Sequence, residues 1–157
     1  MSPLLFAVVD TDDVGPGLDE RYLEEIRERV AGSPFHRWAG ITLVSVGGGQ
    51  SEVAMDLDDH HFNPQGIVHG GVIAAIADTS IGLALRSMLR PGLTHRTAQL
   101  NVHFLSKGEG NRIIGHGNSR HLGQRMGYGE AEVSDPEGRL LARASATFIV
   151  LPAPGAF

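Results

Sequence analysis

The chain contains no cysteine. Disulfides, thiolate metal sites and a cysteine nucleophile are thereby excluded, and the composition fits a reducing, cytoplasmic setting. No basic segment precedes the short apolar stretch from Pro3 to Val9, so the start does not read as a signal peptide. No apolar run of bilayer-spanning length is free of polar groups. Ile67 to Leu85 approaches that length but holds His69, Asp78, Thr79, Ser80 and several glycines, the mark of a helix buried in protein rather than lipid. An excess of positive charge is also missing. The net charge is -5, and residues 1–33 carry eight acids against three arginines while the remainder balances, so neither nucleic acid nor membrane is an expected partner. The G-x-S-x-G elbow, the P-loop glycine pattern and H-E-x-x-H are all absent. His60-His61 has no companion at ligand spacing, so neither a metal nor a resident cofactor is expected.

What is present is 157 residues, 41% hydrophobic and 20% charged, enough for one soluble domain with its own core. The most telling segment runs from Gly66 to Leu85. It is small and apolar on nearly every side, as in a helix covered all round, yet it contains two ionisable groups, His69 and Asp78. A buried carboxylate needs a partner, a shifted pKa or a chemical task. Asp78 is therefore either a paired structural acid or a catalytic one. A second departure lies between Arg96 and Arg125, where Arg96, Lys107, Arg112, Arg120 and Arg125 face Glu109 alone. These bases are either solvated strand ends or a patch for an anionic ligand such as a phosphate.

Along the chain, residues 19–30 predict a charged surface helix with Tyr22, Leu23, Ile26 and Val30 on one face, ended by Gly32-Ser33-Pro34. Phe35, Trp38 and Ile41 read as a packing lead-in. Ile41–Val46 and Ser51–Asp58 predict a hairpin around Gly47-Gly-Gly-Gln50, and a loop follows to Pro64. The long helix is expected from about His69 to Leu89, stopped by Pro91-Gly92. Four strands follow: Arg96–Ser106, Arg112–Arg120, Met126–Ser134 and Arg139–Leu151. Hairpin, apolar helix and antiparallel meander make an α+β fold, and a helix apolar all round calls for a sheet that curls about it. The expected organisation is an acidic N-terminal segment over residues 1–34, a domain over 35–151 and a flexible tail over 152–157.

The segment Asn63-Pro-Gln-Gly-Ile-Val-His69-Gly70-Gly71, with Asp78 nine residues after the histidine, resembles the hotdog-fold acyl-CoA thioesterases, specifically their PaaI-like branch. Thr97-Ala-Gln-Leu-Asn-Val-His-Phe-Leu105 resembles that branch's strand after the helix, and Glu130–Val133 with Gly138–Phe148 resembles its closing hairpin. The resemblance covers about residues 35–151. It implies a long central helix wrapped by a curved antiparallel sheet and two chains paired edge to edge, commonly as a homotetramer of two such dimers. The sites would lie at the dimer interface, so the homodimer is required for activity. The implied substrate is an acyl- or aryl-CoA thioester, with coenzyme A entering as part of the substrate.

By that resemblance Asp78 activates water or attacks the thioester carbonyl, the Gly70 N–H polarises that carbonyl, Asn63 and His69 position the reactants, and Thr97 assists through its hydroxyl. Gly71 adjoins the substrate. Coenzyme A phosphates fall to Lys107, Arg120, Gly123 and Arg125, with Gln124 separating the last two. Gly82 stands where another branch of the family carries a hydroxyl side chain. Taken singly, several of these residues have ordinary explanations: Asn63 as turn chemistry, His69 as a helix-start residue, Gly70 and Gly71 as close packing.

Helix geometry adds an independent constraint. Gly70 and Asp78 are eight residues apart, about 12 Å along a helix axis, so one thioester carbonyl cannot reach both in the same chain. If both act on one substrate, they come from different chains. The alternatives to thioester hydrolysis are enoyl-thioester hydration, using His69 and Asp78 across the interface, and acyl-CoA binding without turnover.

Overall fold

The computed structural model describes residues 20–153. The expectations for the acidic residues before Glu20 and for the end of the tail, 154–157, lie outside the described residues. Two helices come first, α1 (Glu20–Gly32) and the short α2 (Pro34–Trp38). Then come β1 (Ile41–Gly47), β2 (Gln50–Asp56), the long helix α3 (Gly70–Arg86), and β3 (Leu93–Phe104), β4 (Arg112–Leu122), β5 (Met126–Ser134) and β6 (Leu140–Pro152). The strands form one antiparallel sheet in the order β1-β2-β4-β5-β6-β3. This is the α+β arrangement that the sequence predicts. Pro152, expected in the tail, closes β6 and pairs with Leu93.

Turn chemistry explains the hairpins. The β1–β2 connection is Gly48-Gly49, with φ of 57° and 77°, the doubly left-handed pair that a two-residue hairpin loop requires. In the β5–β6 turn, Asp135 Oδ1 accepts from the Arg139 N–H at 2.8 Å, and Asp135 Oδ2 accepts from Arg139 Nε at 2.9 Å. Hydrogen bonds to the Arg139 backbone and side chain outweigh burial and hold the Asp135 carboxyl below its ordinary value.

The inner face of the sheet wraps α3. Val53, Met55, Ile113, Val133, Leu141 and Phe148 from four strands pack against Ile73, Ile76, Ala77, Ile81 and Leu85 of the helix. The sheet can approach so closely because β4 carries Gly117 there: a Cβ at that position would run into the Ser80 backbone. The helix α1 forms its own apolar seam, with Leu23, Ile26 and Val30 buried against Val46 of β1 and Leu83 of α3. The Tyr22 hydroxyl donates to the Arg86 carbonyl at 3.1 Å and pins α1 to the far end of α3.

The structure departs from the expected packing at α2. Phe35 and Trp38 do not turn into the core; they are 47% and 65% exposed. Ser33 caps this short helix by accepting from the His36 N–H. The Trp38 ring packs at a tilt of 42° against His60, 5.2 Å between centroids, and so covers the loop after β2 instead. The long helix also ends sooner than expected, at Arg86, with Ser87 as its cap and Gly92 (φ 85°) in the turn beyond.

Candidate active site

At the entrance to α3 the loop is organised by its polar residues. Asn63 Oδ1 accepts from the backbone N–H of Gln65 at 3.0 Å and of Ile67 at 3.3 Å, and the Asn63 N–H donates to the Ile67 carbonyl. Asn63 therefore shapes the turn that delivers the chain to the helix. His61 anchors the same loop: its Nδ1 accepts from the Asp58 N–H at 2.8 Å, its Nε2 donates to the Ala39 carbonyl at 3.1 Å, and its own carbonyl accepts from the His69 N–H.

His69 is the N-cap of α3, with Nδ1 accepting from the Gly71 N–H at 2.9 Å. That bond occupies the Gly71 donor. Among the described residues no acceptor is found for the Gly70 N–H, which is left at the positive end of the helix. Such a donor suits a transient oxyanion. A Cβ at 70 would meet the tip of the exposed Phe104 ring at 3.3 Å, a contact that a shift of that ring by a few tenths of an ångström relieves.

Two turns on, Asp78 is half-buried and faces β3. The Thr97 hydroxyl donates to Asp78 Oδ1 at 2.9 Å. Burial pushes the carboxyl above its ordinary value, and the Thr97 bond opposes the rise without cancelling it. Thr97 reaches the helix because of a bulge. The register of β3 against β6 shifts between Thr97 and Gln99. Before the shift, His95 and Thr97 lie opposite the buried Val150 and Phe148; after it, Leu100, Val102 and Phe104 lie opposite the buried Ala146, Ala144 and Ala142. Ala98 absorbs the change of parity, so both halves of the strand present α3 with their odd or even set as needed.

Asp78 and Thr97 open onto a cavity of ≈ 340 Å³. Its walls include Ile26 and Val30 of α1, Gly82 and Arg86 of α3, His95 of β3 and Phe148 of β6. His95, Arg86 and the α1 residues belong to no motif that marks them for this role. The signal for His95 was its position two residues from Thr97, on the same face of a strand.

The structure does not gather the basic candidates in one protomer. Lys107 lies beside the start of α3, where the Val68 N–H donates to the Gly108 carbonyl, and it pairs with Glu109 at 2.7 Å. Arg120, Gly123 and Arg125 lie in the β4–β5 hairpin region, whose Gly127 packs against Leu85 at the far end of the helix. Arg120 is paired with Glu130 at 2.8 Å. The 17-residue helix, about 25 Å long, separates the two groups.

The fold has relatives among known proteins. Residues 65–142 match the family model described as thioesterase superfamily. A provisionally named esterase of Pseudomonas aeruginosa, PA0474, is 33% identical over 100 residues, which is 63% of this chain and 74% of that protein. The medium/long-chain acyl-CoA thioesterase YigI of Salmonella typhimurium is 29% identical over 55% of this chain and 64% of its own length. Among solved structures, the Escherichia coli PaaI protein from the phenylacetic acid degradation operon superposes with a TM-score of 0.79 at 20% identity, covering 87% of this chain and 98% of PaaI, a likeness of fold. The chain belongs to the thioesterase superfamily, with the hotdog fold of PaaI.

Proposed function

We propose that this protein hydrolyses an acyl- or aryl-CoA thioester at a site shared by two chains. The observation that carries the proposal is the pair of groups on α3: the Gly70 amide, for which the described residues hold no acceptor, and a carboxylate held by Thr97 at Asp78. They stand about 12 Å apart on one helix, too far for one carbonyl, so the site takes Asp78 from one protomer and Gly70 from its partner. The assembly that would bring them together is an edge-to-edge pairing through β3. This 12-residue strand is one of the sheet's two edges, with β6 on one side and no partner strand on the other among the described residues.

In the reaction, Asp78 takes a proton from water as the oxygen attacks the thioester carbonyl. The oxyanion that forms accepts the partner protomer's Gly70 N–H. The C–S bond then breaks, and the proton held by Asp78 passes to the departing thiolate, giving a carboxylic acid and coenzyme A. Direct attack by Asp78 is the other route to the same products. It is distinguished by a single turnover in ¹⁸O-water, which labels Asp78 only if an anhydride forms. His69 fixes the helix start through its bond to Gly71, and Asn63 shapes the loop before it. Lys107 of one protomer with Arg120 and Arg125 of the other would supply charge for the coenzyme A phosphates, and the Gly123 N–H closes that hairpin by donating to the Met126 carbonyl.

The test is release of free thiol from a panel of acyl- and aryl-CoA esters by wild type and by Asp78→Ala. Turnover that collapses in the variant supports the assignment; turnover that survives it removes Asp78 from the chemistry. Hydration of enoyl thioesters would require His69 as a base, and with Nδ1 accepting from the Gly71 N–H the ring proton sits on Nε2, so neither nitrogen offers a free lone pair.

A further inference from the structure

The open edge of β3 dictates how a second copy can lie against it. Leu105 donates its N–H to the Leu141 carbonyl of β6 at 2.8 Å. Hydrogen bonding alternates along an antiparallel strand, so Asn101 and His103 also turn their backbone groups to β6. Leu100, Val102 and Phe104 turn theirs to the open edge. The side chains of these three face α3, while those of Gln99, Asn101 and His103 lie on the outer face. A second β3 running antiparallel along this edge must set outward backbone groups against outward ones, and inner side chains against inner ones. Those conditions exclude a two-fold axis between residues and leave an axis on Leu100, Asn101 or Val102.

Each axis puts the partner's Phe104 in a different place. With the axis on Asn101, Leu100 pairs with Val102 of the partner subunit and Gln99 with His103 of the partner subunit. The partner's Phe104 then falls opposite the bulge, where Thr97 is the side chain turned to α3. An axis on Leu100 carries the partner's Phe104 on to His95, and an axis on Val102 leaves it at Leu100. Only the first completes the proposed site. Thr97 holds Asp78 Oδ1 at 2.9 Å, and the Phe104 ring lies against Gly70 of its own chain. Thr97 opposite the partner's Phe104 therefore brings the partner's Gly70 to the level of Asp78 along the seam, across one strand spacing of about 5 Å. An unbroken strand would put residue 98 there and turn Thr97 to the outer face, so the bulge is what makes the match.

We propose that the dimer axis passes through Asn101, and that Phe104 is thereby a positioning residue of the site its chain completes for the partner. The inference rests on the two-chain thioesterase reading. The ring is 56% exposed in the protomer. In this register it becomes an apolar cover between Gly70 and the seam. It holds the helix start in place and keeps water from the Gly70 amide once a thioester is bound, where that N–H acts more strongly on an oxyanion.

The chain has no cysteine, so introduced ones report the register directly. Under mild oxidation Asn101→Cys should give a disulfide-linked dimer, because opposed residues at such a position stand about 4.5 Å apart at Cα. Gln99→Cys and His103→Cys should each fail to link to themselves, being offset by about 13 Å, and should link to each other when size-tagged chains are mixed. The linked Asn101→Cys dimer should still cleave thioesters. A link between Gln99→Cys and His103→Cys that is outrun by one between Gln99→Cys and Asn101→Cys, or between Asn101→Cys and His103→Cys, moves the axis to Leu100 or Val102; it overturns the proposal and leaves the two-chain reading standing. Phe104→Ala should remain dimeric and lose about tenfold or more in kcat with a smaller change in KM, and Phe104→Leu should keep most of the rate. A dimeric Phe104→Ala protein with wild-type kcat removes Phe104 from the site. Linking in none of these pairs removes β3 as the seam, and the two-chain reading with it. If wild type cleaves no thioester, the hydrolase reading fails on its own, and the cross-links still place the axis.

Discussion

At its first turn α3 presents two glycines, a cap histidine open to water and an amide N–H with no acceptor among the described residues; two turns further on it presents a half-buried carboxylate tied to Thr97 and facing a cavity. The first region is inexpensive to build. An N–H at a helix start has no intrahelical partner in any case, and leaving it free costs little while water can reach it. The second is costly, because burial raises the energy of the ionised Asp78 and one hydroxyl bond only partly relieves it. A donor for negative charge is thus obtained from backbone geometry alone, whereas a base poised to take a proton requires stored electrostatic tension. That contrast is the physical content of the proposed site, and each of its halves can be broken separately.

The largest effect is expected at the costly end. Asp78→Asn should lower kcat by about 10³-fold or more, within the range for loss of a general base. In wild type, kcat/KM should fall as the pH drops through the Asp78 pKa. That acid limb should lie above the ordinary aspartate value of 3.8, because burial raises it. A rate flat down to that value would remove Asp78 as the ionised catalyst.

Next comes the inexpensive end. Gly70→Pro deletes the N–H at the first helical position, where proline is well tolerated, and His69 before it already has the extended backbone (φ -62°, ψ 136°) that precedes proline. The variant should melt close to wild type and lose about 10²- to 10³-fold in kcat, the usual cost of one oxyanion donor. Full activity in a folded Gly70→Pro protein would contradict the donor role.

A smaller effect is expected at Thr97. Thr97→Val removes the bond that favours the charged form of Asp78, so the acid limb of the pH profile should move to higher pH, with a loss of about tenfold at neutral pH. An acid limb that stays in place would show that the 2.9 Å contact does not tune the carboxylate.

The smallest effect is on stability, and it has the opposite sign from activity. The folded-state pKa of Asp78 is raised, so the stability of wild type is complete below the unfolded-state pKa and declines as the pH rises through the folded-state value. Asp78→Asn has no charge to bury. It should melt above wild type at neutral pH, and the gap should close below the ordinary aspartate range. Thermal melts at a series of pH values check this; a variant less stable at neutral pH would mean that the Asp78–Thr97 pair is structural.

Much of this molecule was legible in the sequence because its signals are local. The apolar run with Asp78 inside it gave the central helix, alternation gave the strands, and glycine pairs gave the turns. The family resemblance followed from the Asn63–Asp78 spacing. The pairing of Thr97 with Asp78, expected only as assistance from a hydroxyl, is a direct hydrogen bond. What escaped depends on tertiary placement. Phe35 and Trp38 have the composition of core residues, but the core is already filled by α3, so they cover a loop. The bulge at Ala98 changes which residues of β3 face the helix, so alternation counted back from Leu100 and Val102 puts His95 on the outer face, and only its spacing from Thr97 points into the cavity. The charged face of α1 marked it as a surface helix, while its apolar face proves to wall the site. The basic residues between Arg96 and Arg125 are close in sequence, yet the helix holds Lys107 apart from Arg120 and Arg125.

The most direct test of the central claim, that one site is assembled from two chains, is to mix Asp78→Ala and Gly70→Pro proteins, each inactive alone, and allow their subunits to exchange. In a mixed dimer one site carries both defects and the other carries neither, so an equimolar mixture should recover about a quarter of wild-type activity by symmetry. Recovery to that level, rising with exchange time, is the predicted result. A mixture that exchanges subunits and remains as inactive as its components would contradict the account, because it would mean that Asp78 and Gly70 are needed in the same chain.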